Sequence, residues 1–162
     1  MQLFVRKINR SKWNSSDDNV FNLPSDAITS CTRTSRNTLS VWKITSENDL
    51  DEAVLALASN FQKLEAIDVV ILDGDYLVKA TIEQEQTNGI TPVTDLIEYH
   101  YDLKNLNYYK IGLVAEHIIK RIRLNKVKRY TITELKELLK KAIEQDRLKI
   151  EDLNESVAEL IK

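Results

Sequence analysis

Apolar residues recur along this chain with two periods, and each change of period marks an element. Residues 3–8, LFVRKI, alternate: Leu3 and Val5 fall on one side, Phe4 and Ile8 on the other, the pattern of a strand. The β-branched and aromatic content of TLSVWKI, 38–44, predicts a second strand. AIDVVILD, 66–73, is apolar almost without interruption and predicts a strand covered on both faces. Between the last two, Leu50, Val54, Leu57, Phe61 and Leu64 recur at helical spacing, so 47–64 reads as a helix. Ser46 with Asp49 three residues on resembles a capping box, and Glu47, Asp49, Asp51 and Glu52 suit the positive end of a helix dipole. Strand, helix and strand with short joints predict a βαβ unit.

Elsewhere in the first ninety residues the signals are shorter. NRSKWNSSDDN, 9–19, reads as a polar loop, because Ser, Asn and Asp compete locally with regular backbone bonding. Pro24 suits the first turn of a short helix. Tyr76-Leu77-Val78 fits either a strand or a short helix, and EQEQTNG, 83–89, reads as an exposed loop.

Beyond residue 90 the helical period dominates. Thr91-Pro92 opens a stretch with Val93, Leu96 and Ile97 inward, and Ile111, Val114, Ala115, Ile118 and Ile122 form a stripe starting near 107. Thr131 and Glu134 make a capping box, with Tyr130 and Leu135 as its hydrophobic staple. Leu135, Leu138, Leu139, Ala142 and Ile143 give the next buried face; Leu153, Val157, Leu160 and Ile161 give the last. The fold expected is α+β: a small sheet with a βαβ unit, then a C-terminal helical bundle of three or four helices. Residues 1–90 form the αβ part and 91–162 the helical part, sharing one core.

Composition changes little in this picture and charge changes it more. The chain is 43% hydrophobic and 30% charged, a globular composition. No apolar run reaches the roughly 18 residues of a membrane span, so no membrane partner is expected. Cys31 is the single cysteine, which fits a reducing cytoplasm. The net charge of −2 hides three blocks. Residues 1–45 hold seven Lys/Arg and three Asp/Glu (+4), 46–102 hold two and thirteen (−11), and 103–162 hold fourteen and nine (+5). Either the blocks neutralise one another across the fold, or the acidic block faces a basic partner.

The chemistry the sequence offers is sparse. Glycines at 74, 89 and 112 are too scattered for a phosphate-cradling loop. Arg36 follows Cys31 one residue too early for a thiol phosphatase loop. Asp73 and Asp75, at the end of the third predicted strand, are a candidate Mg²⁺ pair, and with them a metal-dependent phosphodiesterase or nuclease; Asp-Gly-Asp is also an ordinary turn. His100 and His117 are the two histidines. No cofactor is expected.

Two surfaces remain. RIRLNKVKRY, 121–130, with Lys120, is cationic: Lys120, Arg121, Arg123, Lys126, Lys128 and Arg129 are the residues a nucleic-acid-binding accessory protein would use. A sequence pI of 5.8 lies far below the value of about 9 typical of such domains. Cations also suit the end of a helix closed by Asn125 in a left-handed cap. Against this stand the acidic block and Tyr99, Tyr101, Tyr108 and Tyr109, which supply contact area with a polar tip. The function expected is a non-enzymatic protein–protein interaction protein: an accessory, inhibitory or immunity-like subunit docking on a larger, basic partner in a bacterial-type complex. Its first contacts would be Glu83, Glu85, Asp95, Glu98, Tyr99 and Tyr101.

Overall fold

A computed structural model describes residues 2–13 and 22–162. Six strands among them form one sheet: β1 Leu3–Ile8, β2 Leu39–Ile44, β3 Ile67–Asp73, β4 Glu83–Gln86, β5 His100–Lys104 and β6 Val127–Tyr130. The order is β4-β5-β2-β1-β3-β6, with every hydrogen-bonded pair antiparallel. Both β2 and β3 run against β1, so they are parallel to each other with β1 between them. The βαβ unit is therefore split, and helix α2, Leu50–Ala58, carries the chain across β1.

Five further helices are α1 Ser25–Cys31, α3 Gly74–Lys79, α4 Tyr108–Arg123, α5 Ile132–Glu144 and α6 Glu155–Ile161. The pleat of β1 sorts its side chains as its alternation predicts. Leu3 and Val5 join Ile44, Val69 and Ile71 beneath α2, α5 and α6, where Val54, Leu135, Leu139 and Val157 are buried. Phe4 and Ile8 join Val41, Val70 and Leu72 beneath α1, α3 and α4, with Ala27, Leu77, Val114 and Ile118. β3 contributes to both cores, which is why its sequence lacks polar alternation. The fold is α+β with a helical C-terminal region, and that region's helices divide between the two faces of the sheet.

Several elements differ from their sequence reading. The helix over 47–64 is a 3-10 turn, Glu47–Asp49, followed by α2, which ends at Ala58. The amides of Asn60 and Phe61 bond back to Leu57 and Ala58 and close the turn. Phe61 and Leu64 still pack on the core from the following loop, so their helical spacing overshot the helix. The Ser46–Asp49 capping box forms, as does that of Thr131 and Glu134. Thr94–Tyr99 is a 3-10 helix. EQEQ is strand β4 rather than loop, and VKRY, the approach to the Thr131 capping box, is strand β6. Both lie at sheet edges, where charged side chains are common because they discourage pairing with foreign strands. Leu160, expected inside, is 45% exposed. Of the polar loop read over 9–19, Arg10–Trp13 form a 3-10 turn and 14–19 lie outside the described residues.

Candidate functional site

The charge blocks meet in space. Among the described residues, seven of the eight ion pairs join the acidic middle third to a basic third: Lys7–Glu65, Lys104–Glu85, Lys126–Glu47, Lys128–Asp51, Arg129–Asp68, Arg147–Glu52 and Arg147–Asp95. Neutralisation within the fold thus absorbs much of the acidic block.

Four carboxylates of that block, Asp49, Glu52, Asp95 and Glu98, line one groove of about 480 Å³. Its floor is apolar: Trp42 and Ile44 from β2, Ala53 from α2 and Leu96. Asp95, Glu98 and Tyr99 come from the 3-10 helix Thr94–Tyr99. That helix is pinned from below. Val93 and Leu96 are buried, and the Thr91 hydroxyl meets Ser59 at 3.0 Å and accepts the Val93 N–H at 3.2 Å. With residues i and i+3 nearly eclipsed in a 3-10 helix, Asp95 and Glu98 share one edge. Asp49 and Glu52 add carboxylates and Lys43 and Arg147 add cations, leaving an acidic excess.

These carboxylates are unequal. Asp49 is held by its capping box, accepting the Ser46 N–H at 2.9 Å and the Ser46 hydroxyl at 3.1 Å; the Thr45 hydroxyl, then these Ser46 bonds, keep its carboxyl below the usual range. Arg147 spans Glu52 and Asp95, with its Nη2 at 2.6 Å from each. Its guanidinium is accordingly pushed above the ordinary arginine value, Glu52 contributing most and Asp95 next. The Glu98 side chain has no hydrogen bond or ion pair within the described residues, though its backbone carbonyl accepts from Gln86. Trp42 is 6% exposed. Gly89 makes this wall possible. A Cβ there would lie 2.5 Å from Trp42 Cη2 and 2.8 Å from His100 Cβ.

The other residues singled out from sequence are placed apart. Glu85 pairs with Lys104 at 2.8 Å and Glu83 accepts from Asn105 at 2.7 Å, both on the β4 edge. Tyr101 meets Phe4 edge-on at 5.5 Å on the opposite sheet face, below the Lys43 ammonium. Tyr108 and Tyr109 protrude at the start of α4. The four tyrosines therefore form no common surface.

The basic segment is likewise divided. Lys120 pairs with Glu116, and Arg121 Nε donates to the Ile71 carbonyl at 2.5 Å. Arg123 ends α4. On β6, Lys128 lies over Tyr130 on one face, while Arg129 turns to Asp68 on the other. Asp73 is the N-cap of α3, its carboxylate accepting the Asp75 N–H at 2.9 Å. Among the described residues, no group of three or more His, Cys, Asp or Glu side chains could hold a metal ion.

His117 is buried beneath α3, stacked on Tyr76 at 4.0 Å, and its Nε2 accepts the Asp73 backbone N–H at 2.9 Å. Burial first, and Arg121 second, push its imidazole down to about 4. Cys31 Sγ receives the Asn9 amide and the Trp13 indole N–H at 3.2 and 3.3 Å. His100 has its Nδ1 2.7 Å from the Thr87 hydroxyl, which in turn donates to Asp102. With that proton on Asp102's side, His100 Nδ1 is the donor. Burial lowers its imidazole, against an opposing pull from Asp102.

No protein-family model matches this chain, and no curated protein or solved structure is significantly similar to it. No helix among the described residues is long and apolar enough to cross a membrane. The groove needed more than the sequence could supply. Asp95, Glu98 and Tyr99 were legible as acidic and aromatic, whereas Trp42, Glu52 and Arg147 join them only through tertiary folding.

Proposed function

We propose that this chain is a non-enzymatic interaction protein that docks on a larger protein partner in the cytoplasm, as an accessory, inhibitory or immunity-like subunit. The reading is supported by one observation above the others. Asp95, Glu98 and Tyr99, three of the six residues singled out as partner contacts, stand together at the Trp42 groove. A concave site with an apolar floor and few convergent polar groups is the usual form of a binding site. Its acidic excess complements a basic partner, which favours encounter and orientation. Away from the groove, Asp73 serves as a cap, His117 as an acceptor and Cys31 as a buried acceptor.

A nucleic-acid accessory role has less support, because Lys120, Lys126, Lys128 and Arg129 each hold an acidic partner and Arg121 a carbonyl. Metal-dependent phosphodiester chemistry also has less support, because Asp73 caps α3 and no group of three or more possible metal ligands is found among the described residues. The test is affinity capture from host extract with wild-type protein and the Glu98→Lys, Tyr99→Ala double variant. A partner retained by the wild type and lost from the double variant supports docking through the groove. Identical captured proteins from both would end the reading.

A further inference from the structure

Strand β3 outruns its outer neighbour. β6 pairs with it only as far as Val70, and the Ile71 N–H still finds the Lys126 carbonyl at 2.9 Å. Two residues on, strand geometry turns the Asp73 N–H the same way, past the end of β6. His117 supplies the missing acceptor, its Nε2 taking that N–H at 2.9 Å where α3 begins. A backbone N–H can only donate, so Nε2 carries the lone pair and Nδ1 the hydrogen. A further proton from solvent therefore has one place to go, and on Nε2 it sets a donor against a donor.

Packing decides what then gives way. The ring lies between α4, which carries it, and Tyr76 of α3, stacked on it at 4.0 Å. Water reaches it by displacing one of the two. α4 is 16 residues long, with Val114, Ala115, Ile118 and Ile119 buried. α3 has 6 residues, buries Leu77 and leaves Val78 66% exposed. Its other ties are light: the Gly74 N–H to the Gln2 carbonyl, Gln84 Nε2 to the Gly74 carbonyl, and the Tyr76 hydroxyl to the Leu113 carbonyl. β3 itself remains paired along β1 from Asp68 to Asp73. Burial does most to disfavour an imidazolium here; Arg121 and Lys120 of α4 add to that, against Asp73 and Glu116.

We propose that His117 is an acid-sensitive latch for α3: a proton on Nε2 frees Gly74–Lys79 from α4 while the sheet stays folded. The latch lies on the sheet face opposite the Trp42 groove and is independent of the docking function.

The test follows amide hydrogen exchange, residue by residue, from about pH 7 to about pH 4, in wild type and in His117→Gln, whose amide oxygen accepts but cannot titrate. The Ala80, Thr81 and Ile82 amides bond back to Tyr76, Val78 and Leu77 and report on α3; the β1–β3 ladder reports on the sheet. The closed form holds the lower pKa, so it is favoured above 6.5 and loses ground as pH falls towards about 4. Across that window the wild-type α3 amides should lose up to about 300-fold in protection and end well below the ladder, while His117→Gln keeps its α3 protection. Loss in step with the ladder overturns the proposal, because the molecule then opens only as a whole. An equal loss in His117→Gln overturns it as well. The imidazole ¹⁵N spectrum of the wild type keeps the proposal testable without the variant: hydrogen on Nδ1 at neutral pH supports the latch, and hydrogen on Nε2 overturns it.

Discussion

The two faces of the sheet treat their polar groups differently. Under α1, α3 and α4 the polar atoms are consumed: His117 accepts from Asp73, Cys31 accepts from Asn9 and Trp13, and the Arg6 guanidinium donates to the Cys31 and Ser40 carbonyls. Beneath α2, α5 and α6 lies the groove, where the exposed Glu98 side chain has no hydrogen bond or ion pair among the described residues, beside an internally clamped Arg147. A buried polar group with its partner in place contributes to stability; an accessible one without a partner contributes nothing until a ligand arrives. The contrast separates residues whose loss should unfold the molecule from residues whose loss should only silence it.

The largest effect should come from the closed face. His117→Ala strands the Asp73 N–H and removes the ring stacked on Tyr76, and should cost about 3 kcal/mol in urea unfolding. A loss below 1 kcal/mol would show that the two faces are not distinct in this way. The same histidine gives a pH signature. Its folded value of about 4 lies below its ordinary 6.5. As pH falls the unfolded chain takes the proton first. The stabilisation is full above 6.5 and is lost as pH drops through the window to about 4, amounting to about 3 kcal/mol. His117→Gln keeps an acceptor and cannot titrate, so its stability curve should be flatter than wild type across that window; equal slopes would count against this origin.

Next in size is Gly89→Ala, which pushes a methyl into Trp42 and His100. Overpacking of this kind costs about 2 kcal/mol and should shift the Trp42 indole signal, linking stability to groove shape. Arg147→Ala frees Glu52 and Asp95, which are about half exposed, so water compensates and the cost should be about 1 kcal/mol. The smallest is Glu98→Gln, which should leave the unfolding midpoint unchanged while weakening capture of the docking partner. A clear destabilisation there would mean that Glu98 belongs to the fold and not to a ligand.

How far each region could be read from sequence follows the same division. β1, β2 and β3 were legible because burial on one or both faces leaves a periodic or continuous apolar record, and both capping boxes formed because they are local. β4 and β6 were not. EQEQ and VKRY carry little apolar signal, and cross-strand pairing to β5 and β3 makes them strands. α2 was read too long because Phe61 and Leu64 enter the core from a loop at spacings a helix would also use. In the groove, Asp95, Glu98 and Tyr99 lie within five residues and stood out together. Trp42 and Arg147 are more than a hundred positions apart in the chain, and nothing local announces that they face one another.

The ion pairs that bind the middle of the chain to its two ends also bear on how the molecule is made. While it emerges from the ribosome, the acidic segment appears long before β6 and Arg147, and so must wait without most of its counter-charges. The nascent chain should stay open and self-repelling until the last sixty residues arrive, and removing those residues should leave a strongly anionic fragment that low salt expands and high salt compacts.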